Sequence, residues 1–218
     1  MRKLIVKTIF ITCGIAFMLL FAIFGIVSFW APSAMMDLTA SLGMETVSGD
    51  YAFQEYERSG NLSCLARSFL IAAEHKDDRN AKQRFTILFG TDERDGEAND
   101  EAGRARREAF EEFCKEQDGA VSQDAPAMAY RDFLCGQAAA VQYRLAKTQA
   151  EKDAACTFAA AETEADFPAG NPVIALAVSV GEAKDKETCK VLLTKMSEGG
   201  FEQNSDYRNI KTILEAVE

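Results

Sequence analysis

The hydrophobic positions divide the chain into one continuous apolar run and a series of periodic segments. Residues 8–30 carry no charge, and 13 of these 23 residues are Leu, Ile, Phe or Val. A helix of that length rises about 35 Å, which is enough for the ~30 Å hydrocarbon core of a bilayer. The run therefore predicts a transmembrane helix over residues 8–30, with Trp30 as an aromatic anchor at its end.

A cleavable secretion signal is the alternative interpretation of the same run. Arg2, Lys3 and Lys7 form a basic leading segment, and small residues follow at 31–33. The apolar region of a signal peptide is usually about 7 to 15 residues long, which is much shorter than this one. The length favours a retained anchor.

The charges that flank the run predict its orientation. Residues 1–7 contain three basic residues, whereas residues 31–57 contain five acidic residues and no Lys or Arg. Basic flanks stay on the cytoplasmic side of a membrane. We therefore expect residues 1–7 in the cytoplasm and residues 31–218 outside it, on a single-pass protein of the cell membrane.

Beyond residue 30, apolar positions recur at the spacings of amphipathic helices. The clearest series is Ala127, Tyr130, Leu134, Ala138, Val141 and Leu145, at spacings of 3, 4, 4, 3 and 4. No segment alternates apolar and polar residues as a strand does. The pattern predicts an all-α fold in which the transmembrane helix is followed by about eight helices, packed as antiparallel hairpins in a solenoid or a bundle.

Capping residues predict where these helices begin and end. We expect Ser48 or Asp50 to begin a helix that Gly60 ends, Gly119 to end a helix that begins near residue 100, and Pro126 to open the next. Further expected boundaries are Asn61 or Ser63, Asp77, residues 184–186, Gly199, and Ser205 or Asp206.

A charged stretch at residues 91–99 lacks helix caps and is expected to be a solvated loop. It separates a first helical hairpin region, residues 31–90, from a remaining helical repeat region, residues 100–218.

Four residues in the first region follow a repeat-like spacing. Tyr56, Gly60, Phe69 and Ala72 are separated by 4, 9 and 3 positions. In this order a tyrosine, a glycine, an aromatic residue and an alanine are typical of the tetratricopeptide repeat, and residues 48–90 resemble one such unit. The resemblance implies stacked helical hairpins, which form concave surfaces for protein partners.

The charge balance excludes some function classes and favours others. The chain has 24 Lys and Arg against 34 Asp and Glu, for a net charge of -10, which argues against nucleic-acid binding. Residues 31–218 alone carry a net charge of -13. We expect this part to stand off anionic lipid and to attract a protein or peptide of basic character.

Five cysteines follow the apolar run, and their odd number rules out complete pairing within one chain. They are Cys64, Cys114, Cys135, Cys156 and Cys189. The helical rise places Cys135 and Cys156, and likewise Cys114 and Cys135, at unequal distances from the turns between them, too far apart to bridge. We therefore expect buried thiols that behave as small hydrophobic side chains.

The remaining candidates for chemistry each have a simpler explanation. A calcium loop centred on Gly96 would need carboxylates at Thr91 and Ala102, which have none. Ser179 lies within a helical period, whereas a serine nucleophile elbow needs a strand-to-helix turn. His75, the single histidine, suits the carbonyl end of a helix. The sequence thus predicts no catalytic, cofactor-binding or metal-binding residue and no cofactor.

These observations together predict a non-enzymatic function. The leading hypothesis is a membrane-anchored, extracytoplasmic helical module for protein–protein interaction or assembly. The alternative is a membrane-tethered hydrolase whose paired carboxylates converge only in three dimensions. A carboxyl group with a strongly raised pKa in an acidic pocket would favour the hydrolase.

Overall fold

The structure is a computed structural model that describes residues 2–89, 101–121, 130–161, 172–200, 202 and 205–216. Regular structure within these ranges is helical, and none of the described residues lies in a strand. The helices are α1 (Arg2–Trp30), α2 (Pro32–Ser41), α3 (Glu45–Ser59), α4 (Leu62–Glu74), α5 (Asp78–Phe89), α6 (Glu101–Val121), α7 (Tyr130–Leu145), α8 (Gln149–Ala161), α9 (Pro172–Ala183), α10 (Lys186–Glu198) and α11 (Ser205–Glu215). The predicted all-α class is confirmed.

More helices follow the apolar run than the eight that the pattern predicted, since the described ranges contain ten. One reason is that α2 is a helix of its own. Ala31 separates it from α1, and Pro32 occupies its first turn. A backbone N–H there has no partner within the helix, so proline, which lacks this group, loses no hydrogen bond.

The chain divides into two compact units, Met1–Cys64 and Leu65–Glu218. The predicted loop at residues 91–99 lies outside the described residues. In the first unit, α1 contains a segment, Ile11–Ser28, with a mean hydropathy of 2.4 and no residue buried against the protein. This helix is long and apolar enough to cross a membrane.

Helices α2 and α3 form a hairpin in the first unit. Met35 and Thr39 of α2 and Ala52 of α3 are buried in it. Gly43 turns the chain at a φ of 72°, a left-handed conformation that suits glycine.

The predicted N-cap of α3, Ser48 or Asp50, was wrong by four or six residues, because the observed N-cap is Met44. The helix begins at Glu45, so Ser48 lies inside it and is buried. The Ser48 hydroxyl donates across the hairpin to the carbonyl of Met36, 2.9 Å away, and therefore joins the two helices where a cap was expected. Gly60 ends α3 in the left-handed region, with a φ of 70°, as predicted.

Helix α7 is the centre of the second unit. It contacts α5, α6, α8 and α9, and it is buried on almost every side. The sequence predicted a single apolar stripe on this helix, but Asp132, Gly136 and Tyr143 outside that stripe are buried as well. Small side chains at residues 138–140 let neighbouring helices approach α7 closely.

An aromatic cluster fills the space between α4, α5, α6 and α8. Its members are Phe69, Phe85, Phe89, Phe110 and Phe158. Neighbouring ring centroids lie 5.2 to 6.2 Å apart in stacked, tilted and edge-to-face arrangements, the distances at which aromatic pairs attract. A second apolar group contains residues from each of α7, α8, α9, α10 and α11. It includes Leu176, Val180, Leu192, Met196 and Leu214.

Local hydrogen bonds fix the start of α8 in the second unit. Thr148 and Glu151 form a capping box at the start of α8, in which the Glu151 carboxylate accepts from the backbone N–H groups of Lys147 and Thr148. Gly119 does not end its helix as predicted, since α6 continues to Val121. Pro126 lies outside the described residues.

All six cysteines are thiols, and none forms a disulfide. Cys114, Cys135, Cys156 and Cys189 are buried, as predicted, whereas Cys64 is half-buried. The buried four lie in α6, α7, α8 and α10.

Candidate functional site

A cleft of about 410 Å³ opens in the second unit beside the end of α4, between α7 and α9. Gly136 and Ala140 lie four residues apart on the face of α7 that lines the cleft. Neither has a long side chain, so they leave the space of the cleft open. Ile174 and Val178, with the same spacing on α9, form an apolar wall. Val178 is 41% exposed, an unusual degree for a valine on a helix whose other apolar residues are largely buried.

Arg144 closes one end of the cleft and holds four helices together. Its guanidinium pairs with the Asp78 carboxylate, with Nη2 at 2.6 Å and Nε at 2.8 Å from Oδ1. The same group donates to the carbonyl of Ala73 at 3.2 Å and to the Ser179 hydroxyl at 3.4 Å. These contacts engage all three nitrogens of the Arg144 guanidinium, which fixes the shape of the cleft.

Ser179 lies inside α9, where its hydroxyl accepts from Arg144. The expectation that it belongs to a helical period is confirmed. A serine inside a helix lacks the strand-to-helix turn that a nucleophile elbow requires.

Charged groups of both signs line the opening. Glu74 is exposed on the rim. Asp132 is 2% exposed in the wall, and its Oδ1 lies 3.7 Å from Arg131 Nη1. Two cations of the lining are engaged in ion pairs: Arg144 with Asp78, and Lys76 with Glu182 at 3.4 Å. An apolar groove with the Glu74 carboxylate at its edge suits an apolar group that lies next to a cation.

A second polar cluster surrounds Asp185, which caps the start of α10. The carboxylate accepts from the Thr188 N–H at 3.1 Å, the Tyr143 hydroxyl at 3.1 Å and the Lys152 ammonium at 2.5 Å. Burial disfavours the charge on Asp185, but these hydrogen bonds outweigh it and lower the pKa to about 2. Asp185 is therefore ionised throughout the physiological range.

Tyr143 and Cys156, two neighbours of Asp185, are protonated and unreactive at neutral pH. Burial and the nearby Asp185 charge raise the pKa of Tyr143. Burial, with Asp153 and Asp185, raises the pKa of Cys156 to about 12. A thiol with such a pKa is almost wholly protonated at neutral pH and is a poor nucleophile. The cluster thus joins α7, α8 and α10 and has no reactive member among the groups named.

The Asp185 cluster predicts an acid-dependent loss of stability. A folded-state pKa of about 2 lies below the ordinary value of 3.8, so the ionised group stabilises the fold above about pH 4 and loses this effect as the pH falls towards 2. We expect Asp185→Asn to lower the free energy of unfolding by about 1 to 2 kcal/mol near neutral pH and by little near pH 2. Urea unfolding across this pH range measures both values.

Glu187→Gln is the matched control, because it removes one negative charge from the exposed first turn of the same helix. It should change the free energy of unfolding by less than about 0.5 kcal/mol. A cost of Asp185→Asn that does not vary with pH would contradict the assignment, because asparagine also caps helices and only the charge is removed.

His75 is exposed and directly follows α4, where its backbone N–H donates to the carbonyl of Ile71. This is the helix-end position that the sequence predicted. The calcium candidate around Gly96 lies outside the described residues. Within the described ranges, no group of three or more His, Cys, Asp or Glu side chains could hold a metal ion.

The chain matches no protein-family model, no curated protein and no solved structure. The functional assignment therefore depends on the geometry of the cleft and on the properties of the sequence.

Proposed function

We propose that this protein is a membrane-anchored interaction module that binds a segment of another protein in the cleft between α7 and α9. The observation that carries the proposal is the half-exposed Val178 in an apolar groove with the Glu74 carboxylate at its rim. An apolar side chain of a partner would cover Val178 and Ile174, and an adjacent Lys or Arg would lie near Glu74.

The anchor and its orientation are part of the proposal. Helix α1 is long and apolar enough to span a bilayer, and the charge difference between residues 1–7 and 31–57 supports an extracytoplasmic location for the second unit. The net charge of -13 on residues 31–218 would draw a basic partner towards the protein.

The tetratricopeptide-like character of residues 48–90 also belongs to the proposal. It rests on the spacing of Tyr56, Gly60, Phe69 and Ala72 in the sequence. Helical hairpins of this kind commonly present grooves to peptide ligands.

Asp185 and Glu151 do not suit the acid–base chemistry of a hydrolase. Both are described carboxyl groups with a shifted pKa. Hydrogen bonds lower both values, whereas a general acid needs a raised pKa. Both side chains also lie outside the lining of the cleft.

Selection from a random library of displayed short peptides tests the proposal. The full-length protein is presented in lipid nanodiscs, and empty nanodiscs of the same lipid remove non-specific binders. We expect enrichment of peptides that place Leu, Ile or Phe next to Lys or Arg. Enrichment of acidic peptides, or of none over the empty nanodiscs, would contradict it.

A further inference from the structure

The first unit carries an exposed apolar surface that the proposed function does not use. Ala34, Leu38 and Leu42 are exposed at spacings of four along α2, and the exposed Met44 follows in the turn to α3. Leu38 is 46% exposed, Leu42 65% and Met44 48%. This surface, which we call the α2 stripe, lies beside the buried residues that pack α2 on α3.

Hydrogen bonds fix the hairpin against the end of α1. The Tyr51 hydroxyl of α3 donates to the Ser28 hydroxyl at 2.9 Å, and the Arg58 guanidinium donates to the carbonyl of Trp30. Ser28 is the last residue of the apolar segment of α1. Helix α3 is therefore held at the depth where that segment ends.

Helix α2 follows α3 to this depth, because the Ser48 hydroxyl of α3 donates to the carbonyl of Met36. Helix α2 also begins only two residues after Trp30, so it has no linker with which to move away. Tyrosine and tryptophan concentrate where hydrocarbon meets the polar headgroups. If α1 spans the bilayer, Tyr51 and Trp30 mark that boundary and the α2 stripe lies next to it.

The stripe is apolar, and the hairpin has no excess of basic groups that would bind anionic headgroups. The hairpin, residues 32–59, contains five acidic residues and one basic residue, Arg58, which binds the carbonyl of Trp30. Attraction to the bilayer must therefore come from the burial of Leu38, Leu42 and Met44 between the headgroups and the first part of the acyl chains. Such binding does not require anionic lipid.

We propose that the α2 stripe lies in the outer interface of the bilayer and fixes the hairpin to the membrane surface beside the end of α1. The inference rests on the proposed membrane anchor, and it adds a second, interfacial contact to the span. The hairpin then limits the tilt and rotation of the segment that leaves the membrane.

Tryptophan quenching in proteoliposomes tests the position of the stripe. Trp30 is the single tryptophan of the chain, so Trp30→Phe provides a silent background and retains the carbonyl that Arg58 binds. Leu42→Trp, and separately Leu38→Trp, are made in this background in the full-length protein. Each is reconstituted in phosphatidylcholine with and without brominated acyl chains, where bromine quenches only an indole in contact with lipid.

We expect brominated lipid to reduce the emission of both stripe variants by roughly twofold. Leu145→Trp in the same background is the control, because Leu145 is a 37% exposed leucine of the acidic second unit. Its emission should be the same in both lipids. Agreement between two stripe positions excludes a local misfolding effect at either one.

The emission of the native Trp30 distinguishes failure of the anchor from failure of the interfacial contact. If brominated lipid quenches Trp30 but neither stripe variant, α1 inserts in the bilayer and the proposed interfacial contact is wrong. If Trp30 itself is not quenched, α1 does not insert, and both the anchor and this inference are overturned. Equal quenching of Leu145→Trp and the stripe variants would also overturn the inference, because the lipid contact would not be specific to α2.

Discussion

We expect Phe85→Ala to lower the free energy of unfolding of the second unit by about 3 to 5 kcal/mol. Phe85 is 5% exposed, and its ring lies 5.2 Å from those of Phe69 and Phe89 and 6.2 Å from that of Phe158. The substitution removes a ring that three others contact and leaves a cavity that the surrounding helices cannot fill. Urea unfolding of the full chain in detergent, followed by helical circular dichroism, measures the loss.

Leu145→Ala is the control for this prediction, because it truncates an apolar side chain that is 37% exposed. Its effect should stay within about 0.5 kcal/mol. A loss of less than about 1 kcal/mol for Phe85→Ala would show that the aromatic cluster does not hold α4, α5 and α8 together.

The second large effect concerns binding in the cleft. We expect Val178→Lys to weaken the binding of a selected peptide by roughly 10- to 100-fold, because it removes apolar contact and places a cation beside the partner's own. Val178 is 41% exposed, so a lysine there can extend into solvent without disturbing the core. Fluorescence anisotropy of a labelled peptide, with the protein in nanodiscs, measures the change.

Thr194→Lys adds the same charge at an exposed position of α10, away from the cleft lining. It keeps the net charge equal to that of Val178→Lys and therefore isolates the local effect from long-range steering. Equal weakening by the two variants would mean that the charge of the whole surface, and not the cleft, controls binding.

Much of the fold could be predicted because helix ends have local causes. Gly60 ends α3 by adopting a left-handed conformation, and Asp185 begins α10 by accepting from the Thr188 N–H. Both effects act within a few residues of the chain. The apolar run in α1 was equally visible, since it depends on composition alone.

The errors arose where contacts between helices outweighed local preference. Ser48 is a good capping residue, but its hydroxyl binds the carbonyl of Met36 on α2, twelve positions earlier. Helix α7 appeared amphipathic because Ala139, Ala140 and Gly136 were not counted as core. Small residues carry little hydrophobicity, and their burial depends on how many helices surround them.

The cleft left almost no signal in the sequence. Arg144 contacts Asp78 and Ser179, which are 66 and 35 positions away, and the lining is made of common residue types such as Gly136, Ala140 and Val178. No motif describes such a site. Helix α9 is apolar from Val173 to Val180 except at Ser179, a composition that predicts burial on all sides, so the exposure of Val178 could not be predicted.

Site-specific photo-crosslinking tests the central claim most directly. A photoreactive amino acid replaces Ala175 in the cleft, or Thr194 on α10, in the full-length protein in membranes of cells that make it naturally. We predict a discrete protein adduct from position 175 that is absent from position 194, is lost with Val178→Lys, and joins a segment with an apolar residue next to Lys or Arg. Identical adducts from both positions, or adducts that Val178→Lys leaves unchanged, would contradict the claim that this cleft holds the partner.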